Sequence, residues 1–296
     1  MKRTDGAETA KGYAYAVTGA VCGGSVTALT KLLLANNGPI PITGLAFSLS
    51  GLMLLLYRPR LKPAKGSAPY LLFMGLVGAA ISPLMYAYGL RETTAVNAAL
   101  LANGEVLFTT IIAFSVFGER LGRAQLLRGL FIVAGIVVVS TDLDITGVSF
   151  LQGIMGNLLV LGSMVGWSIE NNLLVVATRR FEPAGLSKFR NLIGGVAVTA
   201  FVVVGGYAFD FSSYDVVVLV ILAGALTGAT FLFIAAIKRL GAIRMLLVWS
   251  TSTVFGAAFA YVLLGEQITP VQLTGGALIL LGVYLFRRSE KPAPLL

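Results

Sequence analysis

Apolar stretches of about 20 residues recur along the whole of this 296-residue chain, separated by short segments that hold most of its charge. Each is long enough to cross a hydrocarbon layer of roughly 30 Å. Charged residues make up 12% of the sequence, whereas a soluble protein of this size carries about twice that share. The expectation is a polytopic, all-α membrane protein, with the lipid bilayer as its principal partner.

That solvent changes what the charge means. A net charge of +9 does not point to nucleic acid, because Lys and Arg in such chains mark cytoplasmic loops. Cys22 is the only cysteine and histidine is absent, so a cysteine metal cluster, a zinc site and Ser/His nucleophilic chemistry lack their parts. No ATP-binding motif is present, and no cofactor is expected. Acidic residues in the opening "MKRTDGAETAKGYAYAVTGAVC", and Val21 before the cysteine, argue against a cleaved signal or a lipoprotein site. Residues 13–34 are therefore expected as a retained first helix.

Turn and charge signals divide the chain into ten helices. Five lie at about 12–34, 40–57, 69–90, 94–117 and 123–140. Five more lie at about 151–178, 185–208, 215–237, 242–264 and 270–286, after a linker "STDLDITGVS" at 140–149. Alternate connections carry the basic residues, among them Lys11, Lys62, Arg123, Arg180, Arg239 and Arg288. The other connections hold Arg91 as their single basic residue, and also Asp142, Asp144, Asp210, Asp215 and Glu266. The positive-inside rule then places both termini in the cytoplasm, in the cell (inner) membrane.

The halves resemble each other. "VFGERLGRAQLLRGLFIVAGIVV" at 116–138 is echoed by "LLGEQITPVQLTGGALILLGVYL" at 263–285, at a constant offset of 147 residues. The offset pairs Gly118 with Gly265, Glu119 with Glu266, Gln125 with Gln272, Gly129 with Gly276 and Gly135 with Gly282. Shared composition explains common Leu and Val, but not Gly-Glu followed six residues later by Gln at both places. The expected units are 12–140 and 151–287. Five helices is an odd number, so the second unit would insert upside down, as in secondary transporters that bind substrate near the midplane.

Four segments carry a family resemblance over nearly the whole chain: "GGSVTALTK" (23–31), "LLANGEVLFTTIIAFSVFGERL" (100–121), "GWSIENNLLVVATRR" (166–180) and "LLGEQITPVQLTGGALILLGVYL" (263–285). They resemble the EamA branch of the drug/metabolite transporter superfamily. The resemblance implies ten helices in two inverted five-helix bundles, and efflux of small metabolites, amino acids or drugs. There are departures. The Trp frequent in the family's first helix is Gly23 here, while Trp167 is kept in the sixth. The arginine frequent early in the second helix is replaced by Ala46 or Phe47, and Arg190 stands at the matching place in the seventh. The Pro common in the fourth and ninth helices is replaced by Glu105 and Ser252, although some members carry a Glu at the first of these.

Glu105 has no basic residue within a dozen positions on either side. Facing lipid it would cost a few kcal/mol even on the lenient insertion scale, so a cavity is expected. Its helical face would carry Thr94, Ala98, Leu101 and Thr109, with Asn103 nearly opposite and serving packing. Either it changes protonation during a cycle, or it is a protonated packing residue. Glu170 either lines the pathway or pairs with Arg190. Lys31 either snorkels outward or, as the resemblance implies, contributes to the site. Trp249, Tyr86 and Tyr88 sit deeper than an interfacial belt, packing the core or walling a site for a flat or cationic substrate. Gly118-Glu119 and Gly265-Glu266 are expected to cap the helix that follows each of them. Gly-x-x-x-Gly in the first, sixth and eighth helices is expected to allow close helix approach.

The sequence thus predicts a secondary-active transporter, not an enzyme. It exports a small metabolite, such as an amino acid or related amphipathic compound, with protons as a candidate coupling ion. A lipophilic-cation exporter is the alternative. A channel or an intramembrane enzyme is the alternative from another class.

Overall fold

A computed structural model describes residues 2–57, 65–117, 123–141 and 148–287. Among these residues ten helical spans and no strands occur. They are α1 (Lys2–Leu34), α2 (Pro39–Tyr57), α3 (Ala68–Glu92), α4 (Ala95–Leu101 and Gly104–Phe117) and α5 (Arg123–Thr141). The second half supplies α6 (Val148–Arg180), α7 (Pro183–Val204), α8 (Ser213–Leu240), α9 (Ala242–Trp249, Ser252–Phe259 and Ala260–Leu264) and α10 (Pro270–Arg287). Eight spans are long and apolar enough to cross a membrane, and the described parts of α5 and α10 are shorter apolar helices. Residues facing outward include Leu56, Val204 and Val262, each more than two-thirds exposed, as lipid but not water would permit. The chain is a multi-pass membrane protein.

Local chemistry sets the helix ends. Pro183 opens α7 in its first turn, where a missing N–H costs nothing. Ser212 and Asp215 form a reciprocal capping box on α8. Thr269 and Gln272 do the same on α10: the Gln272 backbone N–H donates to Thr269 Oγ1 at 3.1 Å, and the Thr269 backbone N–H donates to Gln272 Oε1 at 2.9 Å. The turn between α9 and α10 contains Gly265 at φ +68°, a left-handed conformation that glycine adopts without a Cβ penalty.

Packing relates the two halves. α1 lies chiefly on α8 and α3 on α6, while α2 packs on α7 and α5 on α10. The α5–α10 contact is reciprocal: a Cβ on Gly135 would meet Ile279 Cγ1 at 2.6 Å, and one on Gly282 would meet Ile132 Cγ1 at 2.7 Å. Each glycine, like each isoleucine, lies 147 residues from its counterpart. The bare backbones let the two helices cross closely.

Three expectations need correcting. The fourth and ninth helices, each expected as one continuous span, both break in their first halves, at Ala102–Asn103 and at Ser250–Thr251. Polar side chains compete for backbone there: Asn103 Nδ2 donates to Leu100 O at 3.1 Å, Ser250 Oγ to Leu247 O at 2.8 Å and Thr251 Oγ1 to Val248 O at 2.7 Å. The breaks are tied together, since Asn103 Nδ2 also donates to Thr253 Oγ1 at 2.6 Å, and that hydroxyl donates to Ala99 O at 2.9 Å.

Glu266 does not cap the helix that follows it. Its carboxylate accepts from the N–H groups of Ala95 and Val96, at 2.9 and 3.0 Å, and so caps α4 of the other half. Gln272 joins it there, donating to Asn97 Oδ1 at 2.8 Å. Because the Thr269–Gln272 box already serves α10, the glutamate is free for this distant duty. Glu119, like Gly118 and most of the linker at 140–149, lies outside the described residues. Gly224 of α8 faces open space, so at that glycine the small-residue pattern does not mark close approach.

Candidate substrate cavity

The spans other than α5 and α10 line a cavity of about 190 Å³. Six of the seven residues singled out from the sequence line it: Glu105, Glu170, Trp167, Trp249, Tyr86 and Arg190. Lys31 does not. Its ammonium donates to Leu90 O and Thr93 O, both at 2.7 Å, and so binds the carbonyls at the C-terminal end of α3. Tyr88 is 40% exposed and also stands outside the cavity.

Glu105 begins the second segment of α4 and is 7% exposed. The turn at Ala102–Asn103 alters the face that α4 presents. Ala99, Ala102 and Glu105 line the cavity, not the expected stripe through Ala98, Leu101 and Thr109. Asn171 Nδ2 donates to Glu105 Oε1 at 2.6 Å, and Ser168 Oγ donates to the Glu105 carbonyl at 3.1 Å. No ion pair to Glu105 occurs among the described residues. Asn103 stays out of this cavity and ties α4 to α9, the packing duty expected of it.

Glu170 and Arg190 pair with each other, as one of the two alternatives had it, and both also line the cavity. Arg190 Nε donates to Glu170 Oε1 at 2.5 Å and Nη2 donates to Oε2 at 2.9 Å, a bidentate buried pair. The rest of the guanidinium is also engaged: Nη2 donates to Gly78 O at 2.7 Å and Nη1 to Asn191 Oδ1 at 2.8 Å. The sequence of α3 explains why Gly78 O is available. Residues 74–81 form a π-helical stretch in which Ser82 N–H bonds Val77 O. The next donor in that register would be residue 83, a proline without an N–H. Gly78 O therefore accepts instead from Arg190 and, at 2.9 Å, from Trp167 Nε1. A side chain at Gly78 would collide with the Glu170 carboxylate.

Aromatic rings form the remaining walls. Tyr86 and Trp167 are 5.6 Å apart between centroids, and the Tyr86 hydroxyl shares a 2.7 Å hydrogen bond with Thr27. Phe233 and Trp249 meet edge to face at 4.8 Å. Sequence reasoning missed Asn171, Thr27, Phe233 and Gly78 as contributors. Asn171 had a visible signal, since "ENN" at 170–172 is a polar cluster inside an apolar span. The others act through non-local contacts that leave no local trace.

Ten apolar helices, eight of them lining a largely apolar cavity that holds a carboxyl group and a buried ion pair, suit a membrane transporter. The model of the EamA-like transporter family matches residues 10–141 and again residues 154–288, and the chain belongs to that family. An uncharacterized transporter of Methanothermobacter thermautotrophicus is 26% identical, over 93% of this chain and 85% of its own length. A chloroplastic WAT1-related protein of Arabidopsis thaliana is 23% identical, over 90% of this chain and 67% of its own. One crystal structure, at 18% identity, superposes with a TM-score of 0.68 over 97% of this chain and 99% of that one, a likeness of fold alone.

Proposed function

We propose that the protein is a secondary-active exporter of a small amphipathic metabolite, working by alternating access through the central cavity. In this reading Glu105 binds a proton and the substrate in turn, and Trp167, Trp249, Tyr86, Glu170 and Arg190 shape the site. The observation that carries it is Glu105 itself. A buried carboxyl group with one amide partner and no ion pair among the described residues lines a cavity between the halves, an expensive arrangement unless a ligand or proton completes it. The reciprocal Gly135–Ile279 and Gly282–Ile132 contacts support two inverted units at 12–140 and 151–287, which could exchange conformations across the site. The basic residues support an inner-membrane orientation with both termini cytoplasmic.

Counterflow in proteoliposomes tests this. A panel of labelled small amines, amino acids and organic acids is offered to vesicles preloaded with the same unlabelled compounds. Saturable accumulation of one of them, absent from protein-free vesicles, is expected. A non-saturating flux accompanied by single-channel currents would make the protein a channel instead.

A further inference from the structure

The cavity holds three acidic or basic side chains among the described residues, Glu105, Glu170 and Arg190, and two of them are already used. Arg190 cannot greet a substrate carboxylate as it stands. Four of its five N–H donors are spent, on both oxygens of Glu170, on Gly78 O and on Asn191 Oδ1. Releasing it would leave Glu170, 2% exposed, as an unpaired buried anion. Glu105 is the opposite case, with Oε1 held by Asn171 and no ion pair. A carboxylate entering this space would meet the unpaired Glu105 carboxyl, a Glu170 already neutralised by its partner, and a guanidinium with four donors taken. A cation would meet an acceptor held in place, and aromatic rings whose faces attract positive charge.

Resting on the proposed transport function, we infer that the substrate class is a monocationic amine with an apolar, ring-sized body and no carboxylate. The ammonium binds Glu105, and the body lies between Tyr86–Trp167 on one wall and Phe233–Trp249 on the other. Size agrees. A cavity of about 150 Å³ holds benzene, and this one, at about 190 Å³, adds room for a short chain ending in one polar group. The Glu170–Arg190 pair then acts by exclusion, since a free arginine there would admit amino acids as readily as amines. An amino acid is rejected because its carboxylate must be desolvated without a partner.

Three compounds with the same ring and chain isolate the charge. These are 2-phenylethylamine, L-phenylalanine and 3-phenylpropionate, titrated into the purified full-length protein while tryptophan fluorescence is read. Both tryptophans of the chain line the cavity, so the signal is local to it. The amine should quench saturably and bind at least about tenfold tighter than phenylalanine, the size expected of one charge-assisted hydrogen bond. The propionate should give no saturable response, and Glu105→Gln should weaken the amine by a similar factor. Phenylalanine or the propionate binding as tightly as the amine would overturn the inference. So would no saturable response to the amine, or amine affinity unchanged in Glu105→Gln. Saturable counterflow of a zwitterion or an anion would leave the transport function standing while this substrate class fell.

Discussion

The indole of Trp249 lies over Gly23, where a Cβ would come within 2.7 Å of the ring. The two residues trade volume across the α1–α9 interface. Here α1 is bare and α9 supplies the ring. The contact fixes which way Trp249 faces. Gly23→Leu should therefore overpack the site by about 1–3 kcal/mol. Its melting temperature in detergent should fall, and adding Trp249→Ala should restore most of the loss. Equal losses in the single and double variants would show that the two side chains are not coupled.

Glu266 holds the N–H groups of Ala95 and Val96 from the other half of the chain. Replacing Glu266 by Ala should cost about 1–2 kcal/mol, the usual worth of a helix cap. Hydrogen exchange should rise at the first turn of α4, not at the start of α10. Faster exchange confined to residues 270–274 would return the glutamate to the following helix.

The Glu170–Arg190 pair is buried on both sides, with side chains 2% and 8% exposed. Breaking it one partner at a time leaves an uncompensated charge, so Glu170→Gln and Arg190→Gln should each destabilise by about 3–5 kcal/mol. The double change Glu170→Leu/Arg190→Met should recover much of that, because the second charge leaves with the first. A double variant as unstable as the sum of the singles would show that the pair does not act as a unit.

Helix number and approximate extent were legible because length and apolarity are local properties that a bilayer makes decisive. The pairing of Glu170 with Arg190 was legible as one of two choices, since two opposite charges near one end of neighbouring helices have few partners. The breaks in α4 and α9 were not. Asn103, Ser250 and Thr251 are polar residues that continuous membrane helices also tolerate, and the Asn103–Thr253 bond that fixes the break joins opposite halves. Glu266 was misassigned for a related reason: sequence shows its neighbour α10, whereas the N–H groups it binds lie some 170 residues away. Lys31 could be placed in the last turn of α1, but nothing local shows that the α3 carbonyls lie within its reach.

Orientation is tested by labelling. With Cys22→Ser as background, a cysteine at Ser213 should react with an impermeant maleimide in intact cells, and one at Lys65 should not. Both positions lie at the N-terminal ends of their helices, α8 and α3, in an acidic and a basic connection respectively. The reverse pattern would put the termini outside.

The central claim is that Glu105 is a working carboxylate of the pathway. It is buried, its side chain held among the described residues by Asn171, and placed on the cavity wall beside the break in α4, while its counterpart in the other half is the neutral Ser252. Glu105→Gln keeps size and one acceptor oxygen but cannot carry a proton or a negative charge. The most direct measurement is amine flux in proteoliposomes across an imposed pH gradient, with wild-type and Glu105→Gln protein matched for folded amount by size-exclusion profile. Wild-type flux should rise with the gradient. The variant should fold, insert, lose most flux and lose its response to the gradient. Wild-type flux with unchanged gradient dependence in Glu105→Gln would contradict the account and make the residue part of helix packing.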